Sequence, residues 1–330
     1  MMGSSAQFAA LGSNIVAKGY PFSDKDGLAV VYDTKTAAQA FMRRLPEALE
    51  RWDAAVAAGN KLYAFTPSDR SVDCRPRIDA AMHRLEEDPS ATERWSWSHD
   101  PSPVPYDNDH AHRRITSHAV RPGGGAIFVS VENWSVPHPG HGDDHVAAQA
   151  AEAEAKKMAR TFSYDTERGE WTRHGDWLLP FRGEAHYDGE LDAWVGLHSD
   201  SRRHGKLCSC DVVAAGSHEE EPNWKLCEVE VMTSTVEDDA MLVPMGGGGR
   251  FCLVEGRSRE WPRYWRRWGD GDKCELRVTT FRLRYGKNGE LAITDRRPSR
   301  SYILSRYVRF SCACILDGHH ESEALGKDIP

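Results

Sequence analysis

The segment AHYDGELDAWVGL, residues 185–197, sets the pattern for most of the chain. It opens on Ala, passes a Gly-containing turn and closes on an apolar run that holds a large aromatic, Trp194. Three further segments share this plan: AVAAGNKLYAF (55–65), AVRPGGGAIFVSV (119–131) and AMLVPMGGGGRFCLVE (240–255). Their aromatics are Tyr63, Phe128 and Phe251, so successive units are offset by 65, 66 and 57 residues. Turn glycines between two apolar runs signal a β-hairpin, because Gly accepts positive φ at no steric cost. Self-similarity at such a period signals a repeat architecture, since one unit cannot bury its own sheet face. The expected fold is mainly β: a propeller-like ring of four-stranded units, irregular or incomplete, with short helical insertions.

Outer strands follow from the same reading. FSYDTERGEWTRHGDWLLP (162–180) and the shorter VVYDTKTAAQAFMRRLP (30–46) both contain Tyr-Asp-Thr and end in Leu-Pro. A hydrophobic-Tyr-Asp run suits a strand entering a turn, where Asp bonds backbone amides. LCSCDV (207–212) and LRVTTFRLRY (276–285) read as further strands, the latter by its period-two alternation. Residues 36–58 pull the other way. Phe41, Leu45, Leu49, Trp52 and Val56 recur at helical spacing among good helix formers. The repeat instead requires a strand over 39–45 and a hairpin over 54–64, and tertiary context overrides propensity; strands are the reading adopted.

Two insertions interrupt the repeat, at about 132–160 and 257–273. The first carries His138, His141 and His145 and then AAQAAEAEAKKMAR, a helix former with so little apolar surface that weak docking is expected. The second reads SREWPRYWRRWGDGDK. Trp261, Trp265 and Trp268 share one helical face with Tyr264 beside them, while Arg263, Arg266 and Arg267 take the other. That stripe docks on the sheet, anchors a protein partner or stacks single-stranded nucleic acid. The candidate partner-binding residues are Trp261, Arg263, Tyr264, Trp265, Arg266 and Trp268. The expected organisation is a flexible stretch 1–13, a propeller-like domain 14–316 and a flexible tail 317–330.

Composition bounds the function. Lys+Arg 42 against Asp+Glu 50 gives −8, which argues against nucleic acid as the general partner. Positive charge is concentrated in 250–310, with sixteen basic and seven acidic residues. No apolar run reaches membrane-spanning length and no secretory pattern opens the chain, so a soluble, monomeric, cytoplasmic or nuclear protein is expected. Eight cysteines in such a setting read as free thiols. The CxC pairs Cys208/Cys210 and Cys312/Cys314 fit two small residues on one strand face better than zinc spacing. The histidine-rich loop lacks neighbouring ligand geometry, so no metal and no cofactor is expected. Gly246–Gly249 is followed by Arg250 and Phe251, which excludes a phosphate loop, and no GxSxG or HExxH occurs. The expectation is not an enzyme.

With the repeat laid out, the chain resembles a plant family, large in grasses, called domain of unknown function 1618. The residues that carry this are TFSYDTERGEWTRHGDWLLPFRGEAHYDGELDAWVGL (161–197), GKLCSCDVV (205–213), the PNWKL after it, GRFCLVEG (249–256) and LRVTTFRLRYGKNGEL (276–291). The family's region is similar to a kelch-type propeller, in which a Tyr-Asp turn precedes a Trp by seven residues, as Tyr164 and Trp171 do. The earlier unit at Tyr32 departs from this, with Gln39 in the Trp place. The resemblance implies links to growth, stress responses and reproductive compatibility, and it implies no reaction and no ligand residues. Function is therefore expected to be that of a non-catalytic interaction scaffold with an unknown protein partner. The alternatives are a metal-binding protein or enzyme, and substrate recognition for a ubiquitin ligase. For the ligase role residues 1–14 are too short to hold an F-box.

Overall fold

Hairpin tips come together in space where glycine allows it. At the tip of the hairpin containing Phe128, Gly124 has φ +77, and a Cβ there would lie 2.8 Å from the backbone nitrogen of Gly59, in the tip of the preceding hairpin. Only glycine fits so close a backbone approach. The computed structural model describes residues 7–19, 28–42, 45, 49, 52, 54–66, 80–91, 94–106, 113–133, 159–200, 205–214, 220–232, 240–258 and 274–304. Among these the chain is almost entirely strand, with almost no helix.

Five antiparallel meanders follow one another. Sheet one is β1 (Gln7–Leu11), β2 (Asn14–Gly19), β3 (Leu28–Asp33) and β4 (Gln39–Met42). Sheet two is β5 (Ala54–Ala58), β6 (Lys61–Thr66), β7 (Ala81–Glu87) and β8 (Trp95–His99). Sheet three is β9 (Arg113–Val120), β10 (Ala126–Asn133), β11 (Arg160–Asp165) and β12 (Glu170–Gly175). Sheet four is β13 (Gly183–Asp188), β14 (Ala193–Leu197), β15 (Lys206–Asp211) and β16 (Trp224–Glu230). Sheet five is β17 (Ala240–Pro244), β18 (Arg250–Ser258), β19 (Cys274–Tyr285) and β20 (Leu291–Thr294), with β21 (Arg300–Leu304) also pairing β19.

The first strand of each meander neighbours the first strand of the next, from β1 through β5, β9 and β13 to β17. Between β9 and β13 the contact is a parallel ladder, Gly183↔Ser117 to Ala185↔Ala119. A second parallel bridge, Cys227↔Leu291, joins β16 to β20.

Period-two alternation distributes side chains between the two faces of each sheet. On β6, Leu62 and Ala64 join the core between sheets one and two, while Tyr63 and Phe65 join that between sheets two and three. On β10, Ile127, Val129 and Val131 face sheet two, and Phe128 faces sheet four. On β14, Trp194 packs back toward sheet three, and Ala193, Val195 and Leu197 pack toward sheet five. A strand buried on both faces needs a continuous apolar run, which is why the second strand of each hairpin is so recognisable. Tyr63, Phe128, Trp194 and Phe251 all lie on the second strand of their units and are all at most 2% exposed, but Tyr63 and Phe128 face the following sheet whereas Trp194 and Phe251 face the preceding one.

Several expectations change. Residues 7–11, read as part of a flexible stretch, form β1, paired along its length with β2. The repeat therefore has one more unit than the four aromatic hairpins suggest. In that unit small Val16 stands opposite Ala9 and is fully buried, where the others use an aromatic. Of the described residues in 36–58, Gln39–Met42 form β4 and Ala54–Ala58 form β5, and Leu45, expected at the end of the first strand, lies outside it. Leu45, Leu49 and Trp52 are buried between them, and Lys18 is fixed there by donating to the Leu49 carbonyl and lying 4.6 Å over the Trp52 ring. The two insertions leave from Asn133 and Ser258 and return at Arg160 and Cys274; the helices expected in them, and His138, His141 and His145, fall outside the described residues.

Candidate interaction surface

All six residues proposed from the sequence, Trp261, Arg263, Tyr264, Trp265, Arg266 and Trp268, lie outside the described residues. Their flanks are well placed. Ser258 pairs with Cys274 at the end of the β18–β19 ladder, and β21 runs alongside, with Tyr302 opposite Leu276 and Ile303 opposite Glu275. Tyr302 and Ile303 are 41% and 59% exposed, so apolar surface flanks the base of that segment.

A larger apolar surface lies at the other end of the stack. Sheet one packs one face, with Ala9, Val16, Ala29 and Val31, against sheet two. On its opposite face the registers Phe8↔Ala17, Ala17↔Val30 and Val30↔Phe41 align four apolar residues in one row across all four strands. The next row, Ala10, Ile15, Tyr32 and Gln39, lies parallel to it. Phe8 is 39% and Phe41 62% exposed. Each of the four inter-sheet contacts is filled by apolar side chains from both sheets, whereas among the described residues no sheet covers this row. The row spans four strands, so no local stretch of sequence displays it. The alternation of Phe8 and Ala10 with buried Ala9 and Leu11 was the available signal.

Polar groups, buried and partly exposed, tie neighbouring sheets together. Between sheets two and three, Tyr164 donates from Oη to Asp100 Oδ2 at 2.6 Å, and Arg84 Nη1 lies 3.5 Å from the same oxygen. Burial, reinforced by the Asp100 carboxylate, pushes the Tyr164 phenol well above its ordinary value. Ser102 donates its backbone N–H to Asp100 Oδ1 and its hydroxyl to the Gly169 carbonyl. Between sheets three and four, Trp194 Nε1 donates to the Val120 carbonyl at 2.8 Å. Between sheets four and five, Asp188 Oδ2 accepts the Gly249 N–H at 2.8 Å, and its Oδ1 accepts the N–H groups of Glu190 and Leu191. Arg282 pairs with both carboxylate oxygens of Glu190 at 3.0 and 2.7 Å. These groups fasten sheet to sheet, which keeps exposed faces in fixed relative position.

The thiols are interior. Cys208, Cys210, Cys227 and Cys252 are free and buried, and burial raises each thiol, Cys252 to about 11. Such thiols hold little thiolate at neutral pH and act as small apolar residues. In native protein at pH 8 these four are expected to stay unlabelled by a disulfide reagent and to react fully in guanidinium. Labelling of Cys208 or Cys210 without denaturant would contradict their burial.

On the first strands, His118 of β9 sits opposite Glu184 of β13, with His186 two residues along. His186 Nε2 is 2.8 Å from the Leu242 carbonyl of β17, and its Nδ1 is 3.7 Å from Glu184. Burial pushes the His118 imidazole below its ordinary 6.5, with Glu184 opposing and His186 adding to the shift. The unfolded chain then binds this proton more tightly than the folded one, so stability is full above about pH 6.5 and falls as pH drops below it. The urea midpoint is expected to be lower at pH 5 than at pH 7.5, and His118→Gln to reduce that difference. An unchanged pH difference in the variant would refute the assignment. Among the described residues no three His, Cys, Asp or Glu side chains are grouped to hold a metal ion, and no helix is long and apolar enough to cross a membrane.

Comparison with known proteins gives a family and distant shapes. A family model described as "Protein of unknown function (DUF1668)" matches residues 2–302. This overturns the resemblance to domain of unknown function 1618, and the plant, growth and compatibility implications fall with it. The quoted segments are hairpin strands and turns, a pattern that specifies local β-structure and not one family. No curated protein matches the chain. Among solved structures, the chain is similar to the phage phi92 endosialidase (9% identity, TM-score 0.46, 96% of this chain), and it spans 63% of that chain. It is also similar to the polysaccharide lyase Uly1 (7%, TM-score 0.38, 91% of this chain and 81% of that one). A third is an α-L-arabinofuranosidase from Clostridium thermocellum (8%, TM-score 0.31, 88% and 93%).

Proposed function

The chain belongs to the DUF1668 family, whose description names no activity, and from that premise we propose that it is a non-catalytic protein-interaction scaffold built as an irregular propeller. The observation that carries this is the row Phe8–Ala17–Val30–Phe41 on the outward face of sheet one. Burying a Phe side chain contributes about 1.5–3 kcal/mol, so Phe8 and Phe41 alone offer a partner substantial binding energy. The occupant this face suits is a protein presenting an apolar sheet or helix face, because a sheet packed on such a row is what the other four interfaces of the stack already use. The Trp261–Trp268 segment, leaving beside Tyr302 and Ile303, supplies a second contact whose Arg residues favour an acidic partner surface.

Affinity capture from the source organism's own extract tests this, with wild type compared against Phe8→Ser/Phe41→Glu and against Trp261→Ala/Trp265→Ala/Trp268→Ala. At least one protein is expected to be captured by wild type at near-stoichiometric yield and lost with the first variant while its melting temperature holds. Identical captured sets from wild type and both variants would sink the proposal.

A further inference from the structure

We propose that His83 and His99 form a two-imidazole binding site for a divalent late first-row transition-metal ion, such as Cu²⁺, Ni²⁺ or Zn²⁺. The two residues are sixteen apart in sequence but directly opposite on β7 and β8. Asp100 donates its N–H to the Met82 carbonyl at 3.0 Å, so Met82 and Asp100 form a hydrogen-bonded pair. The adjoining His83–His99 pair is then of the other kind, in which facing side chains approach most closely. Their ring centroids are 5.2 Å apart, with planes inclined at 60°. Two imidazoles that share one ion through nitrogens at about 2.0–2.1 Å, at a near-tetrahedral angle, hold their centroids roughly 5 Å apart. The observed separation matches.

A second observation points to a ligand. His83 is only 4% exposed, yet among the described residues neither of its ring nitrogens has a hydrogen-bond partner. Buried polar groups are nearly always paired, and a bound ion is one standard reason for an exception. His99 is exposed, which gives an ion an entry path. Burial and the neighbouring His99 push His83 down to about 4, so its imidazole is neutral and ready to ligate at pH 7. The pair continues the face of sheet two that carries Leu85, Trp95 and Trp97, whereas Arg84 and Asp100 alternate to the opposite face. With no third His, Cys, Asp or Glu grouped there among the described residues, water completes the coordination sphere. Imidazole ligands suit copper, nickel and zinc over magnesium and calcium.

The test uses the full chain, freed of metal by chelator and titrated with Cu²⁺ at pH 7. Binding is followed by calorimetry, and ligand nitrogens are counted by electron paramagnetic resonance. Because His83 is buried and its replacement perturbs the core, the deciding variant is His99→Ala at the exposed position. A His138→Ala/His141→Ala/His145→Ala protein separates this site from the histidine-rich loop. The expected result is a site with two coordinating nitrogens that survives the triple substitution and weakens tenfold or more in His99→Ala. Equal affinity in wild type and His99→Ala, or loss of all binding in the triple variant, or no binding in wild type, would each overturn the proposal.

Discussion

Replacing Trp194 by alanine is expected to lower the free energy of unfolding by about 3–5 kcal/mol, the range for removing a buried large aromatic. Trp194 is fully buried at the middle of the chain's stack, with its ring 5.1 Å from Phe128 of the preceding sheet. Its indole N–H is the donor that ties β14 to the Val120 carbonyl. The substitution thus leaves a cavity between sheets three and four and also strips a partner from a backbone acceptor. Trp194→Phe separates the two effects. It keeps much of the packing and loses the hydrogen bond, so its cost should be clearly smaller. Urea unfolding monitored by far-ultraviolet circular dichroism measures both, and a loss below about 1 kcal/mol for Trp194→Ala would contradict tight packing at that interface.

The second large effect is expected at Gly249. Its φ of +67 lies in the left-handed region, and a Cβ there would meet the Leu283 carbonyl oxygen at 2.3 Å. That oxygen belongs to the backbone of β19 and has no side-chain freedom to yield. Gly249 also donates its N–H to buried Asp188 and accepts the Leu283 N–H at 2.7 Å. Gly249→Ala must push β19 away from the β17–β18 turn and loosen the joint to sheet four. Strain in that region costs about 1–3 kcal/mol, and each orphaned buried group costs a similar amount, so destabilisation of about 3 kcal/mol or more follows. Gly246→Ala is the matched control, since it shares a positive φ of 73 but meets nothing within 4 Å. Equal melting temperatures for the two variants would show that the close approach to Leu283 is absent.

The four hairpins with aromatic second strands were legible in sequence because those strands are buried on both faces and their turns need glycine. The first hairpin, 7–19, was not. Its second strand, NIVAKG, packs with small Val16 and carries no aromatic, and one face of the sheet stays partly exposed, so it lacks the mark of the other four. For the same reason the candidate surface was illegible: Phe8 and Phe41 are 33 residues apart and meet in one row only through two intervening strands. The His83–His99 pair is hidden likewise, since cross-strand register is not written in local spacing. The buried pair Cys208 and Cys210 was legible, because CxC on a strand places both thiols on one face.

Residue-resolved hydrogen exchange on the native protein tests the stacking most directly. The account predicts that amides of Leu62–Phe65, Ile127–Val131, Trp194–Leu197 and Phe251–Val254 are the slowest in the molecule and open together, because each lies between two buried sheet faces. If any one of these four strands exchanged freely while the other three stayed protected, the sheets would not support one another as described.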